Sequence, residues 1–131
     1  MNEVIIGLGS NIQPDENIRK AKFILYTHFT VTAVSKFVTT NPIGPFTKNK
    51  YINGCLLIKT SDEMSKIKDQ LKKIEKELGR EKTPNKFAPR TIDLDIIVWN
   101  KEVVDPDFYT RPYIKTAVLE LIPDFKIVTG T

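Results

Sequence analysis

Apolar and polar positions along the chain alternate between short-period and long-period stretches. "EVIIGLGS", residues 3–10, is an apolar run too short for a helix and reads as a buried strand ending in glycines. From Pro14 and Asp15, which suit a helix start, Ile18, Ala21, Leu25 and Phe29 recur at helical spacing. "TVTAVSKFVTT" (30–40) is β-branched and alternating, so it predicts a strand; "NPIGPFTKNK" (41–50) predicts a loop and "YINGCLLIKT" (51–60) another strand. Met64, Ile67, Leu71, Ile74 and Leu78 trace the stripe of a second helix, with Thr60 and Glu63 at capping-box spacing before it and Gly79 as its stop. The basic loop "REKTPNKFAP" (80–89) leads into the strand "RTIDLDIIVWN" (90–100). This βαββαβ succession predicts an α+β fold, a ferredoxin-like sandwich with a mainly antiparallel sheet and helices on one face. After it, the chain reads as a hairpin or edge strand and one short helix, "IKTAVLEL".

The last strand poses a problem of charge. Alternation puts Ile92, Leu94, Ile96 and Val98 on the core face, and Asp93 and Asp95 with Ile97 on the other. The two carboxylates then lie about 6.5–7 Å apart along the strand, where they repel unless something positive intervenes. They could simply face water on the open side of an antiparallel sheet. They could also hold a divalent metal, or meet cations from the basic loop. Residues 66–90 hold nine Lys/Arg against four acids, whereas the chain as a whole carries +4, so the rest is close to neutral. A basic cluster of this kind is either a solvated helix face or the seat of an anionic partner, a polyphosphate or a nucleic acid. Arg80, Lys82, Lys86 and Arg90 lead directly into the aspartate strand, which is the charge layout of a metal–polyphosphate site.

The remaining composition narrows the class. With 131 residues and 40% hydrophobic content, the chain suffices for a single domain, residues 1–131. One cysteine, Cys55, allows no internal disulfide and no zinc cluster, and a reducing, cytoplasmic setting fits it. An acidic residue stands where a signal peptide would carry basic ones, and no run approaches a membrane span, so a soluble, unprocessed chain is expected. "GLGSN" lacks the third glycine of a dinucleotide fingerprint and supports only a tight turn packed near a ligand. His28 is expected at a helix end or on the surface, Cys55 in the core, and Trp99 and Tyr26 in packing.

Four motifs occur in order: "GLGSN" at 7–11, "TTNPIGPF…KYIN" at 39–53, "IEKELGR" at 74–80 and "APRTIDLDI" at 88–96. Together they resemble the 6-hydroxymethyl-7,8-dihydropterin pyrophosphokinase family over about residues 4–125, and the last, with Arg90, Asp93 and Asp95, is the specific one. The resemblance implies transfer of the terminal diphosphate of ATP to the pterin's hydroxymethyl oxygen, giving AMP, in folate biosynthesis. It implies that Asp93 and Asp95 bind two Mg²⁺ ions and that Arg80, Lys82 and Arg90 join them as catalytic residues. Glu75, Arg80, Lys82, Phe87, Arg90, Ile96 and Thr110 match the ATP side, and Thr40, Ile43, Tyr51 and Asn53 match the pterin pocket. Lys82 stands where the family has arginine, and Phe87 where it has tryptophan.

The segment after the aspartate strand departs from the family. Pro112–Tyr113 stands in place of a Pro–His pair, Phe108 and Lys72 replace an arginine and a glutamine, and several residues that would hold a further arginine and phenylalanine are missing. Arg111, Lys72 or Lys115 could supply replacement charge, or the chain could bind pterin or nucleotide without efficient transfer. The rival from another class is a basic ferredoxin-like RNA-binding module. It calls for aromatic residues on the central strands in the K/R-G-F/Y-G/A-F-V-x-F/Y pattern, and neither "YINGCLLIKT" nor "VIIGLGSN" carries it. A small interaction protein is a third reading. The partners expected are therefore ATP and a pterin, without nucleic acid or membrane.

Overall fold

The computed structural model describes residues 1–41, 50–79 and 91–126. Its elements are β1 (Asn2–Ser10), α1 (Pro14–His28), β2 (Thr30–Val34), β3 (Val38–Thr40), β4 (Tyr51–Thr60), α2 (Met64–Glu77), β5 (Asp93–Trp99), β6 (Glu102–Val103), α3 (Asp107–Thr110) and α4 (Pro112–Leu121). The sheet runs β2-β4-β1-β5-β6, with β3 also paired to β4, and all its pairings are antiparallel. This is the expected α+β sandwich. The stretch expected as one strand over 30–40 is two, because at Ser35 the ladder is broken: its N–H still donates to Cys55 O at 2.9 Å, but the Cys55 N–H goes to the Ser35 hydroxyl at 2.9 Å in place of a backbone carbonyl.

Alternation sorts the core. Val4, Ile6 and Leu8 of β1, Leu56 and Ile58 of β4, and Leu94 and Ile96 of β5 meet the apolar stripes of both long helices: Ile18, Ala21 and Leu25 of α1, and Ile67, Leu71 and Ile74 of α2. Every stripe position expected to be buried is in or against this cluster, including Phe29, Met64 and Leu78. Gly79, at φ +90, ends α2 as expected, since only glycine adopts that backbone without strain. The Thr60 hydroxyl, however, accepts the Asp62 N–H at 3.0 Å and closes a local turn, so no capping box forms. His28 lies exposed at the end of α1 as expected, and Trp99 packs against the core, whereas Tyr26 points outward and is half-exposed.

The opposite face holds a second cluster. Ile5, Cys55, Leu57, Ile97 and Val98 pack under Phe108, Ala117, Val118, Ile122 and Phe125, so the C-terminal helix covers part of the face left open by α1 and α2. Val98 therefore departs from its expected side. The β1–β5 register slips between Ile5 and Ile6, which pair with Val98 and Ile96, and leaves Ile97 as the extra residue of a bulge. Ile97 and Val98 consequently face the same way, and Trp99 turns to the first core.

Candidate functional site

The second face of the sheet changes character along its length. Toward one end it carries the aliphatic side chains that seat α4; toward the other, alternation presents Asp93 and Asp95 from β5, Gly9 and Gly7 from β1, and Asn53 and Cys55 from β4. Gly9 pairs with Asp93 on one side and Asn53 on the other, and Gly7 pairs with Asp95 and Cys55. The aspartates thus face bare backbone, and beyond it lies an amide. Glycine inside a strand often marks a bulge, a tight bend or a place where a ligand or another backbone approaches closely. "GLGSN" is accordingly strand floor through Ser10, where a tight turn was expected.

A side chain on that floor would force its neighbours to shift. A Cβ on Gly9 would stand 2.7 Å from Asn53 Oδ1, and one on Gly7 would stand 3.1 Å from Ile97 Cγ1. The Asn53 amide donates to Thr40 Oγ1 at 2.7 Å, which fixes the side chain's orientation across the β3–β4 pairing. Tyr51, two residues before Asn53 on the same face, completes this end of the site.

A cavity of about 1650 Å³ spans the whole arrangement, from Tyr51 and Asn53 past the glycines to Asp93, Asp95 and Tyr113. Pockets for one small molecule usually measure ~300–1,000 Å³, so this one has room for two. Lys68, Lys72 and Lys76, four residues apart along α2, line one wall, so this part of the basic cluster borders the cavity. At the opposite wall stand Asp105, Asp107 and Arg111. Burial raises the Asp105 carboxyl above its ordinary value, as do the charges of Asp107 and Asp93, against the Asp107 backbone hydrogen bond and Arg111.

Of the residues expected on the ATP side, Glu75 is buried, and its Oε2 accepts the Leu94 N–H at 2.8 Å, midway between the two aspartates. Ile96 is a core residue that also borders the cavity. Thr110 lies exposed at the end of α3, outside the cavity wall. Thr40, Tyr51 and Asn53 come together as described. Arg80, Lys82, Phe87, Arg90 and Ile43 lie outside the described residues. The residues that sequence reasoning left without a role in the site are Gly7 and Gly9 as floor, and Asp105 and Asp107; strand alternation could have exposed the first pair, and no motif marks the second. No described helix is long and apolar enough to cross a membrane.

Comparison with known proteins bears on this geometry. Residues 5–123 match the profile of the 7,8-dihydro-6-hydroxymethylpterin-pyrophosphokinase family. Relatives named 2-amino-4-hydroxy-6-hydroxymethyldihydropteridine pyrophosphokinase share much of the chain. The one from Bacillus subtilis is 34% identical over 92% of this chain and 78% of its own length. Its counterpart from Haemophilus influenzae is 31% identical over 95% and 80%, and that from Pseudomonas aeruginosa 28% identical over 99% and 86%. With the family profile spanning nearly all of it, the chain belongs to the 7,8-dihydro-6-hydroxymethylpterin-pyrophosphokinase family.

Proposed function

We propose that the chain is an ATP-dependent pyrophosphokinase that transfers diphosphate to the hydroxymethyl oxygen of 6-hydroxymethyl-7,8-dihydropterin. One observation carries the reading: a single cavity joins an aspartate pair, across a glycine floor, to a tethered Asn53–Thr40 pair and the Tyr51 ring. In this reading the pterin lies over the glycines, its flat ring against Tyr51 and its donor and acceptor edge on the Asn53 amide, whose tether to Thr40 sets which groups it offers. The hydroxymethyl oxygen then faces the aspartate end. It attacks the β-phosphorus of ATP, the bond from that phosphorus to the oxygen bridging the α-phosphorus breaks, AMP leaves, and the hydroxyl proton passes to solvent.

Among the described residues, no cluster of three or more carboxylate, histidine or cysteine side chains could cage a metal. A pair of carboxylates on one strand face nonetheless suits Mg²⁺, which takes one or two protein carboxylates and fills its octahedron with phosphate oxygens and water. Asp93 and Asp95 would hold two such ions, which when bound would neutralise the phosphate chain. Glu75 positions the strand that carries both aspartates through its bond to Leu94. Arg80, Lys82, Arg90 and Phe87 remain proposed contacts on the ATP side, and Ile43 on the pterin side; Thr110, outside the cavity wall, is not among them. We place the reaction in the cytoplasm, where ATP is supplied.

The decisive experiment measures AMP release from ATP, Mg²⁺ and hydroxymethyl-dihydropterin. Turnover that disappears with Asp95→Ala is expected; turnover no higher than that variant's would sink the transfer reading.

A further inference from the structure

Arg111 sits at the junction of α3 and α4, where the following Pro112 holds its backbone extended at φ −121 and ψ 102. Its side chain, about one-third exposed, is fixed at two points: Nε pairs with Asp107 Oδ2 at 3.5 Å, and Nη1 donates to the Tyr113 hydroxyl at 3.2 Å. A guanidinium has five N–H donors. The others have no partner among the described residues, and the group borders the same cavity as Asp93 and Asp95. Burial by itself would lower the Arg111 pKa, but the Tyr113 hydrogen bond and the Tyr113, Asp107 and Asp93 electrostatics outweigh it and keep the group firmly charged.

The surrounding charge gives this cation a task. Asp93, Asp95, Asp105 and Asp107 all border this end of the cavity, and a phosphate chain entering among four carboxylates is repelled unless cations stand between them. Lys72 borders the cavity from α2, whereas Lys115 is exposed and forms no part of its wall. A lysine on an exposed helix face offers a mobile point charge; an arginine braced by a carboxylate and a phenol offers a fixed planar fork that matches two phosphate oxygens.

We propose that Arg111 is a phosphate-binding residue of this chain, gripping the polyphosphate of the nucleotide with the donors that Asp107 and Tyr113 leave open. Tyr113 acts as its positioning residue. The inference rests on the proposed pyrophosphokinase reading but concerns nucleotide binding alone, so its test need not involve turnover. Calorimetry with the Mg²⁺ complex of α,β-methylene-ATP, an analogue that cannot donate diphosphate, compares wild type with Arg111→Gln, Arg111→Lys and Tyr113→Phe. Binding of the pterin to the same proteins is the control for an intact cavity.

Loss of one charge-assisted phosphate contact should weaken the analogue about 10- to 100-fold in Arg111→Gln. Arg111→Lys should recover part of that loss, Tyr113→Phe should weaken binding about 2- to 5-fold through a loosened fork, and pterin affinity should hold within about twofold. Arg111→Gln binding the analogue as well as wild type would overturn the proposal. So would equal losses for analogue and pterin, which would make Arg111 a structural neutraliser of the acidic wall. Wild-type protein that binds the analogue yet releases no AMP would overturn the transfer reading and leave this inference standing on its binding data. Wild-type protein that fails to bind the analogue overturns both.

Discussion

Glu75→Ala should cost stability and nucleotide affinity together, for a reason visible in the sheet's edge. Among the described residues, β6 pairs the outer side of β5 only at Val98 and Trp99, and Glu75 meets the strand between the two aspartates. Glu75 reaches from α2 to take the Leu94 N–H at 2.8 Å with a carboxylate that is only 8% exposed. A hydrogen bond to a charged group is worth ~1.5–3 kcal/mol, and its removal strands a buried donor; relief of a buried carboxylate pulls the other way, for a net loss of about 2 kcal/mol. Gln, whose amide oxygen can still accept, should lose about half as much. In a chain of this size ~2 kcal/mol corresponds to a fall in Tm of about 6–10 °C. Urea denaturation measures the first effect, and titration with the magnesium complex of a non-transferable ATP analogue measures the second, because the segment between Asp93 and Asp95 loses its anchor. An Ala variant within about 0.5 kcal/mol of wild type, with analogue affinity unchanged, would refute the anchoring role.

Three other perturbations probe separate parts of the molecule. Gly9→Ala places a methyl 2.7 Å from Asn53 Oδ1 and should displace the amide from Thr40. Pterin affinity by fluorescence titration should fall about tenfold, with ATP-analogue binding nearly unchanged, and unaltered pterin binding would count against Asn53 as its recognition group. The Asp105 carboxyl, raised by burial and then by Asp107 and Asp93, contributes stability only when protonated, so that contribution is lost as pH rises through its elevated value. Asp105→Asn, which can still accept the Asp107 N–H, should match wild type in acid and exceed it near neutral pH by less than about 1 kcal/mol, the group being partly solvated; equal urea midpoints at both pH values would contradict this. Burial, aided by the charge of Glu120, pushes the Cys55 thiol up to about 12. An aromatic disulfide reagent near pH 8 should therefore modify it only as fast as the protein unfolds, and rapid labelling in native buffer would show that α4 leaves this face accessible.

Much of this arrangement is legible in the sequence because periodicity reports burial directly. The stripes of α1 and α2 and the alternation of Leu94 and Ile96 against Asp93 and Asp95 each read correctly, since one face of each element meets one core. What escapes depends on partners remote in the chain. Val98 turns to the second face because β5 gains a residue relative to β1, and nothing in "DIIVW" announces a bulge. Glu75 is expected on the ATP side, but its bond to the Leu94 N–H between the two aspartates shows only once α2 lies beside β5. Gly7 and Gly9 read as a turn because glycine signals both turns and close approach, and only the pairing with Asp95 and Asp93 separates the two. Thr60 and Glu63 have the right spacing for a capping box, yet the Thr60 hydroxyl is committed to a nearer N–H. Arg111 belongs to none of the four family motifs and is one of three candidate replacement cations; its place in the cavity wall, with Lys115 outside it, emerges only when α4 folds back over the sheet.

The bulge also links packing to the chemistry proposed for the cavity. Without the extra residue at Ile97, strict alternation would give the second face a single apolar residue after Asp95; with it, Ile97 and Val98 stand side by side and widen the seat for Ala117 and Val118 of α4. That seat fixes where α4 begins, and α4 begins at Pro112, directly after the residue that carries the guanidinium. Strand register, helix docking and the position of Arg111 are therefore one mechanical unit, in which the apolar half of the face sets the distance across the polar half. Docking of α4 on the sheet itself is what brings this cation to the cavity that the aspartates border. The sequence of that helix is consistent with this requirement: its buried positions, Ala117 and Val118, are small, which lets its backbone approach β4 closely while Arg111 borders the cavity.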